Sequence, residues 1–190
     1  MRKHVPVAAI GALLLALAIS GCGGSTVTPP SQGGDAPAGA SEVPDAPTGT
    51  RENPAPLGST VEDDEWAVVV NSVTLAATDA VLAENPFNDA PPEGQEYILV
   101  NLTMTYKGNN PEGETPLWVT VEYVTPQGNT INGSETMSVA PDGIDTFSTL
   151  YSGASVTGNK AFAVPSATAA EGVLAISPGL LSDKIFVAVQ

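Results

Sequence analysis

Cysteine and histidine each occur once in the 190 residues, at Cys22 and His4. A single thiol can close no internal disulfide. Both residues lie near the N-terminus, so the remainder of the chain offers neither imidazole nor thiolate. This excludes Ser–His and Cys–His nucleophiles and the common zinc ligands. Neither Ser-x-x-Lys nor Gly-x-Ser-x-Gly occurs, so two further nucleophile signatures are missing. Cations are scarce: 6 Lys and Arg stand against 21 Asp and Glu, for a formal net charge of −15. Such a surface repels phosphate backbones, which excludes nucleic acid as a partner. An apolar 3.6-residue repeat of helical length is also missing beyond Leu57, so an all-helical fold is excluded.

The N-terminus carries the one long hydrophobic run. Arg2, Lys3 and His4 precede an apolar stretch from Val5 to Ile19. At about 15 residues it suits a signal-peptide core and falls short of the roughly 20 that span a bilayer as a helix. Ile19-Ser20-Gly21-Cys22 then sets two small residues before the sole cysteine. This order resembles the lipobox of bacterial lipoproteins. The resemblance implies transfer of diacylglycerol to the Cys22 sulfur and cleavage between Gly21 and Cys22. Residues 1–21 are then a removable signal peptide, and the mature chain keeps Arg51, Lys107, Lys160 and Lys184 as its cations. The implied location is the extracytoplasmic face of the cell membrane. Two acyl chains hold a protein there stably, where one gives only marginal binding.

Residues 22–57 are rich in Gly, Ser, Thr, Pro and Ala, with no aromatic residue. Prolines at 29, 30, 37, 44, 47, 54 and 56 oppose helix and central strand alike. The composition predicts a disordered tether.

From Leu57 the composition shifts to β-branched and aromatic runs divided by turn residues. Strands are expected at Trp66–Leu75, Tyr97–Tyr106, Leu117–Val124, Asp145–Tyr151, Ser155–Val164, Gly172–Ile176 and Lys184–Val189. In the second run Ile98, Val100, Leu102, Met104 and Tyr106 share one face, opposite Asn101, Thr103 and Thr105. In the third, Leu117, Val119, Val121 and Tyr123 fall together. Residues 58–190 thus read as one all-β domain, an antiparallel sandwich with Trp66 or Trp118 at its centre. Without a disulfide, packing alone must join the two sheets.

Leu57-Gly58, the Val-rich stretch Val68–Val73, Gly94-Gln-Glu-Tyr-Ile-Leu-Val-Asn-Leu and Gly158-Asn-Lys-Ala-Phe-Ala-Val-Pro165 together resemble an immunoglobulin-like domain family. It is a family of unknown function found in Gram-positive lipoproteins, with the fold of the mycobacterial immunoprotective extracellular protein. The resemblance implies an immunoglobulin-like sandwich and an envelope location, and it carries over no active site.

Two clusters are candidate sites. Glu62, Asp63, Asp64 and Glu65 form the densest acidic run; it is either a solvated hairpin turn or a cation contact. The stretch from Ala76 to Glu93 is expected to be a long loop. It offers the oxygen donors Asp79, Glu84, Asn85, Asn88 and Asp89 beside an apolar tip at Phe87. Such donors suit Ca²⁺, and long loops often carry binding sites. Leu180 and Leu181 mark a turn before the last strand, read as a small satellite cluster under the loop, with a partner site as the alternative. No other cofactor is implied. The expectation is a non-enzymatic binding module at the cell envelope, its partner an envelope protein reached through the loops. The alternatives are a Ca²⁺ or small-ligand carrier, and an envelope hydrolase using two carboxylates.

Overall fold

The computed structural model of the chain describes residues 24–30 and 48–190. The signal segment, Gly21 and Cys22 lie outside the described residues, as do residues 31–47.

Two antiparallel sheets make up the domain. The first comprises β1 (Thr26–Thr28), β2 (Thr60–Glu62), β3 (Trp66–Thr74), β4 (Gln95–Tyr106) and β7 (Ser155–Pro165), in the order β1-β2-β3-β4-β7. The second comprises β5 (Thr120–Val124), β6 (Thr130–Asn132), β8 (Val173–Ser177) and β9 (Ile185–Ala188), in the order β6-β5-β8-β9. One short helix, α1 (Thr78–Glu84), interrupts the all-β pattern.

The alternation expected along β4 is the organising feature. Ile98, Val100, Leu102, Met104 and Tyr106 all enter the inter-sheet core, joined by Val68, Val70, Phe162, Val121, Tyr123, Leu174 and Ile176. Burial of such side chains contributes about 25 cal/mol per Å² of apolar surface, which is how the sheets cohere without a cross-link. Trp66, not Trp118, belongs to this core. Its ring lies 5.0 Å from that of Tyr106, tilted by 49°, whereas Trp118 is 60% exposed.

Beyond the core, the outer face of the first sheet is divided. Toward one end it is polar, and its side chains bond across strands. Asn71, the extra residue where the β3–β4 register shifts, donates to Asn101 and Thr103. Asn101 in turn donates to Asn159, and Thr103 pairs with Thr157. Toward the other end Tyr97, Leu99, Ala161 and Ala163 are apolar and need a cover. Ala77, Val81 and Ala140 provide it.

That cover corrects the expectation of an unstructured loop from Ala76 to Glu93. Seven residues, Thr78–Glu84, are helical. The helix is too short to display a repeated apolar stripe, and it forms because Val81 can bury against the sheet. Two other expectations fail locally. Residues 145–151 are not a strand; only Leu150 bridges, to Glu114. Leu117 does not join Val119, Val121 and Tyr123, because Pro116–Trp118 is a 3₁₀ turn that points Leu117 outward.

The folded unit also takes in residues that composition assigned to the tether. Thr26, Val27 and Thr28 pair with Glu62, Val61 and Thr60, and Val27 packs against the core. Ala55 is fully buried and bridges in parallel to Val187. An edge strand needs only free backbone groups on a neighbour, so Pro-rich flanks did not prevent it.

Candidate functional site

Along one flank β7 and β6 are the outer strands of their sheets. There a groove of about 650 Å³ opens, with Met104, Val119 and Lys160 toward the interior and Leu117, Met137 and Phe147 among the residues at its rim. The rim residues are apolar and solvent-facing: Met137 is 87% and Phe147 81% exposed.

Local chemistry holds this rim in place. The Asp145 carboxylate accepts from the backbone N–H groups of Phe147 and Ser148, at 2.8 and 3.0 Å, and from the Ser148 hydroxyl. These bonds stabilise the anion and keep the Asp145 pKa below its ordinary value, the Ser148 hydroxyl contributing most. Across the opening, Met137 sits at φ 47°, a left-handed conformation that non-glycine residues seldom adopt. Residues 141–144 run along the β7 edge. The N–H of Asn159 donates to Asp142, its carbonyl accepts from Ile144, and its side chain donates to Pro141. Gly158 permits this approach, since a Cβ there would stand 2.5 Å from the Ile144 backbone.

Among the described residues Lys160 is the one charged residue lining the groove. It shares the inward-facing set of β7 with Phe162, being paired with Val100 across the sheet. Its ammonium donates to the Val121 carbonyl of the opposite sheet at 3.1 Å and lies 5.5 Å from the centre of the Phe162 ring. Burial lowers its pKa, and the field of Glu122 opposes that in part. Among the described residues the other three cations each meet a carboxylate: Arg51 with Glu52, Lys107 with Glu62, Lys184 with Glu122. Among the described residues Lys160 has none within 4.0 Å, and none of their Asp or Glu side chains lines the groove.

No protein-family model, curated protein or solved structure matches the chain.

The sites expected from sequence are placed differently. Glu62 ends β2 and pairs with Lys107 at 2.8 Å. Asp63 accepts from the N–H groups of Glu65 and Trp66 and from the Ser182 hydroxyl, fixing the β2–β3 hairpin. Asp64 and Glu65 face solvent. In the second cluster Asp79, Glu84 and Asp89 are exposed, and Asn85 is engaged locally with the Phe87 N–H. Asn88 binds the Val81 and Val139 carbonyls, and Phe87 projects into solvent at 89% exposure. Among the described residues no three His, Cys, Asp or Glu side chains converge as a metal site would require. The Leu180–Leu181 turn corrects another expectation. Neither residue tucks under the loop; Leu181 is 91% exposed.

The groove residues escaped notice in the sequence because they come from several separate segments. A faint signal existed: Met137, Val139 and Phe147 are apolar side chains in a stretch otherwise made of turn residues.

Proposed function

We propose that this chain is a lipid-anchored envelope protein whose immunoglobulin-like sandwich acts as a non-enzymatic binding module. The observation that carries the binding role is the groove: a concave, partly apolar site in a strongly anionic protein, with no acid among its described lining residues. Pockets of a few hundred to about 1,000 Å³ with a few placed polar groups are the usual form of ligand sites. Trp118, Tyr151 and Phe147, all exposed, belong to the aromatic types enriched where proteins meet partners.

Lipidation at Cys22 is supported by the lipobox-like order around the sole cysteine. Only residues 23–25 separate Cys22 from β1. The Ser25 hydroxyl donates to the Asp183 carbonyl at 2.7 Å, close to the exposed Leu180–Leu181 turn. In this reading a few residues, not a long tether, join the lipidated cysteine to β1. β1 and β7 are opposite edges of the five-stranded sheet, roughly 19 Å apart at the usual strand spacing. The groove therefore lies on the flank remote from the anchor, open to the envelope space. The layout of two antiparallel sheets supports the immunoglobulin-like reading.

The test is binding of 1-anilinonaphthalene, an uncharged apolar fluorophore, to the full chain in phosphatidylcholine vesicles. Fluorescence beyond that of empty vesicles is expected, and Met137→Asp/Phe147→Asp should abolish the excess. An unchanged signal in that variant would reject the groove as the site. Intact mass of the protein from its native host tests the anchor: an unmodified Cys22 thiol would reject it.

A further inference from the structure

Lys160 is placed where a structural lysine gains least. On the inward face of an edge strand its charge is taken partly out of water, and among the described residues no carboxylate lies within 4.0 Å of it; the field of Glu122 compensates it only in part. The fold supplies only the Val121 carbonyl and the Phe162 ring face. Elsewhere among the described residues every cation has an acidic neighbour. With 21 acids in the chain, a groove lining free of them is a definite chemical character. It combines apolar side chains at wall and rim, the neutral polar groups of Ser134, Ser138, Thr146 and Asn159, and one under-compensated positive charge.

We infer that the groove seats a single-chain anionic amphiphile of the fatty-acid class, its carboxylate on the Lys160 ammonium and its chain against Leu117, Met137 and Phe147. The inference rests on the groove being the binding site, and adds the ligand class. Charge complementarity selects an anion, since an ammonium–carboxylate hydrogen bond is roughly twice as strong as a neutral one. The apolar rim selects a long hydrocarbon over a small hydrophilic anion. A peptide adding as a strand is disfavoured at this edge: the N–H and carbonyl of Asn159 are already bonded to Asp142 and Ile144. The Lys160–Val121 bond would lengthen or break as the carboxylate takes its place.

The experiment uses the full chain in phosphatidylcholine vesicles. A palmitic acid bearing a diazirine in its tail, or the matching alcohol, is added and irradiated, and adducts are mapped by mass spectrometry. The acid should label the segments holding Leu117, Met137 and Phe147 about tenfold more than the alcohol does. Lys160→Met should bring the acid down to the alcohol's level, while Lys160→Arg keeps the preference. Equal labelling by acid and alcohol in the unaltered chain overturns the pairing with Lys160 and leaves the groove as an apolar site. If both probes avoid the groove, the groove reading itself falls. Displacement of the acid by an apolar, C-terminally amidated peptide at lower concentration than by palmitate makes a peptide the occupant and overturns the inference.

Discussion

The Asn88 side chain and the Val139 backbone exchange two hydrogen bonds, each 2.8 Å long, across 51 positions of sequence. The amide group also donates to the Val81 carbonyl at 2.6 Å. One side chain thus ties the strap that carries α1 to the segment that borders the groove. Asn88→Ala is expected to cost about 2 kcal/mol, because it strands backbone groups on both segments. Urea denaturation measures that loss. Limited proteolysis should then cut near Phe87 or Val139 before the sheets open.

Gly158 and Gly153 make opposite demands on their surroundings. A Cβ at Gly158 would meet the Ile144 and Asp142 backbone at 2.5–2.8 Å, whereas Gly153, at φ 83°, has nothing within 4 Å. Gly158→Ala should therefore push residues 142–144 off the β7 edge, at about 1–3 kcal/mol, and weaken binding in the groove. Gly153→Ala should cost about 1 kcal/mol through backbone conformation alone and leave the groove unaltered. Denaturation combined with fluorophore binding separates the two effects.

Lys160 is expected to carry a stability cost, which its proposed role would explain. Its pKa in the folded chain is depressed by burial below the ordinary 10.5. A depressed lysine contributes stability above its unfolded value and loses it as the pH falls through the folded one. The penalty is fully present at pH values below the folded one. Lys160→Met is expected to raise the melting temperature there by about 3 °C, with the gap narrowing as the pH climbs toward 10.5. A melting temperature lowered by this substitution would show that the Val121 bond outweighs the desolvation.

Tyr123 predicts the alkaline limit of the fold. Its hydroxyl donates to the Thr168 and Ala169 carbonyls, at 3.1 and 3.2 Å. Burial is the main force raising its pKa above the ordinary 10.0. A phenol so raised stabilises the fold fully below its unfolded value, and that contribution disappears as the pH rises through the folded one. Stability should fall above pH 10.0. Tyr123→Phe should cost about 1 kcal/mol at neutral pH and flatten the alkaline fall. Denaturant midpoints across that range report both.

Much of the fold was legible because β-strand chemistry is written locally. Strict alternation along Ile98–Tyr106 gave the face that forms the core, and Gly- or Pro-bearing turns marked the boundaries. Local patterning misled where the partner mattered more than the pattern. Leu117 alternates with Val119, yet Pro116 turns it outward. Thr26–Thr28 is too short and too polar to announce a strand, but β2 offers it a free backbone edge. The helix at Thr78–Glu84 exists because Tyr97 and Leu99 needed a cover.

The candidate site was less legible for the same reason. The acidic run at 62–65 is conspicuous in sequence, but the fold spends Glu62 and Asp63 on Lys107, the hairpin and Ser182.

By itself the sequence determined the side-chain inventory and the strand pattern. It has one thiol and one imidazole, few cations and many acids, and its apolar residues alternate with a period of two. These are properties of composition and nearest neighbours, independent of how the chain is arranged in space. The tertiary structure alone decided which described cation has no carboxylate within 4.0 Å and which apolar side chains frame a groove. Desolvation of the Lys160 ammonium depends on strands β7 and β5 meeting across two sheets, and no local pattern encodes that distance.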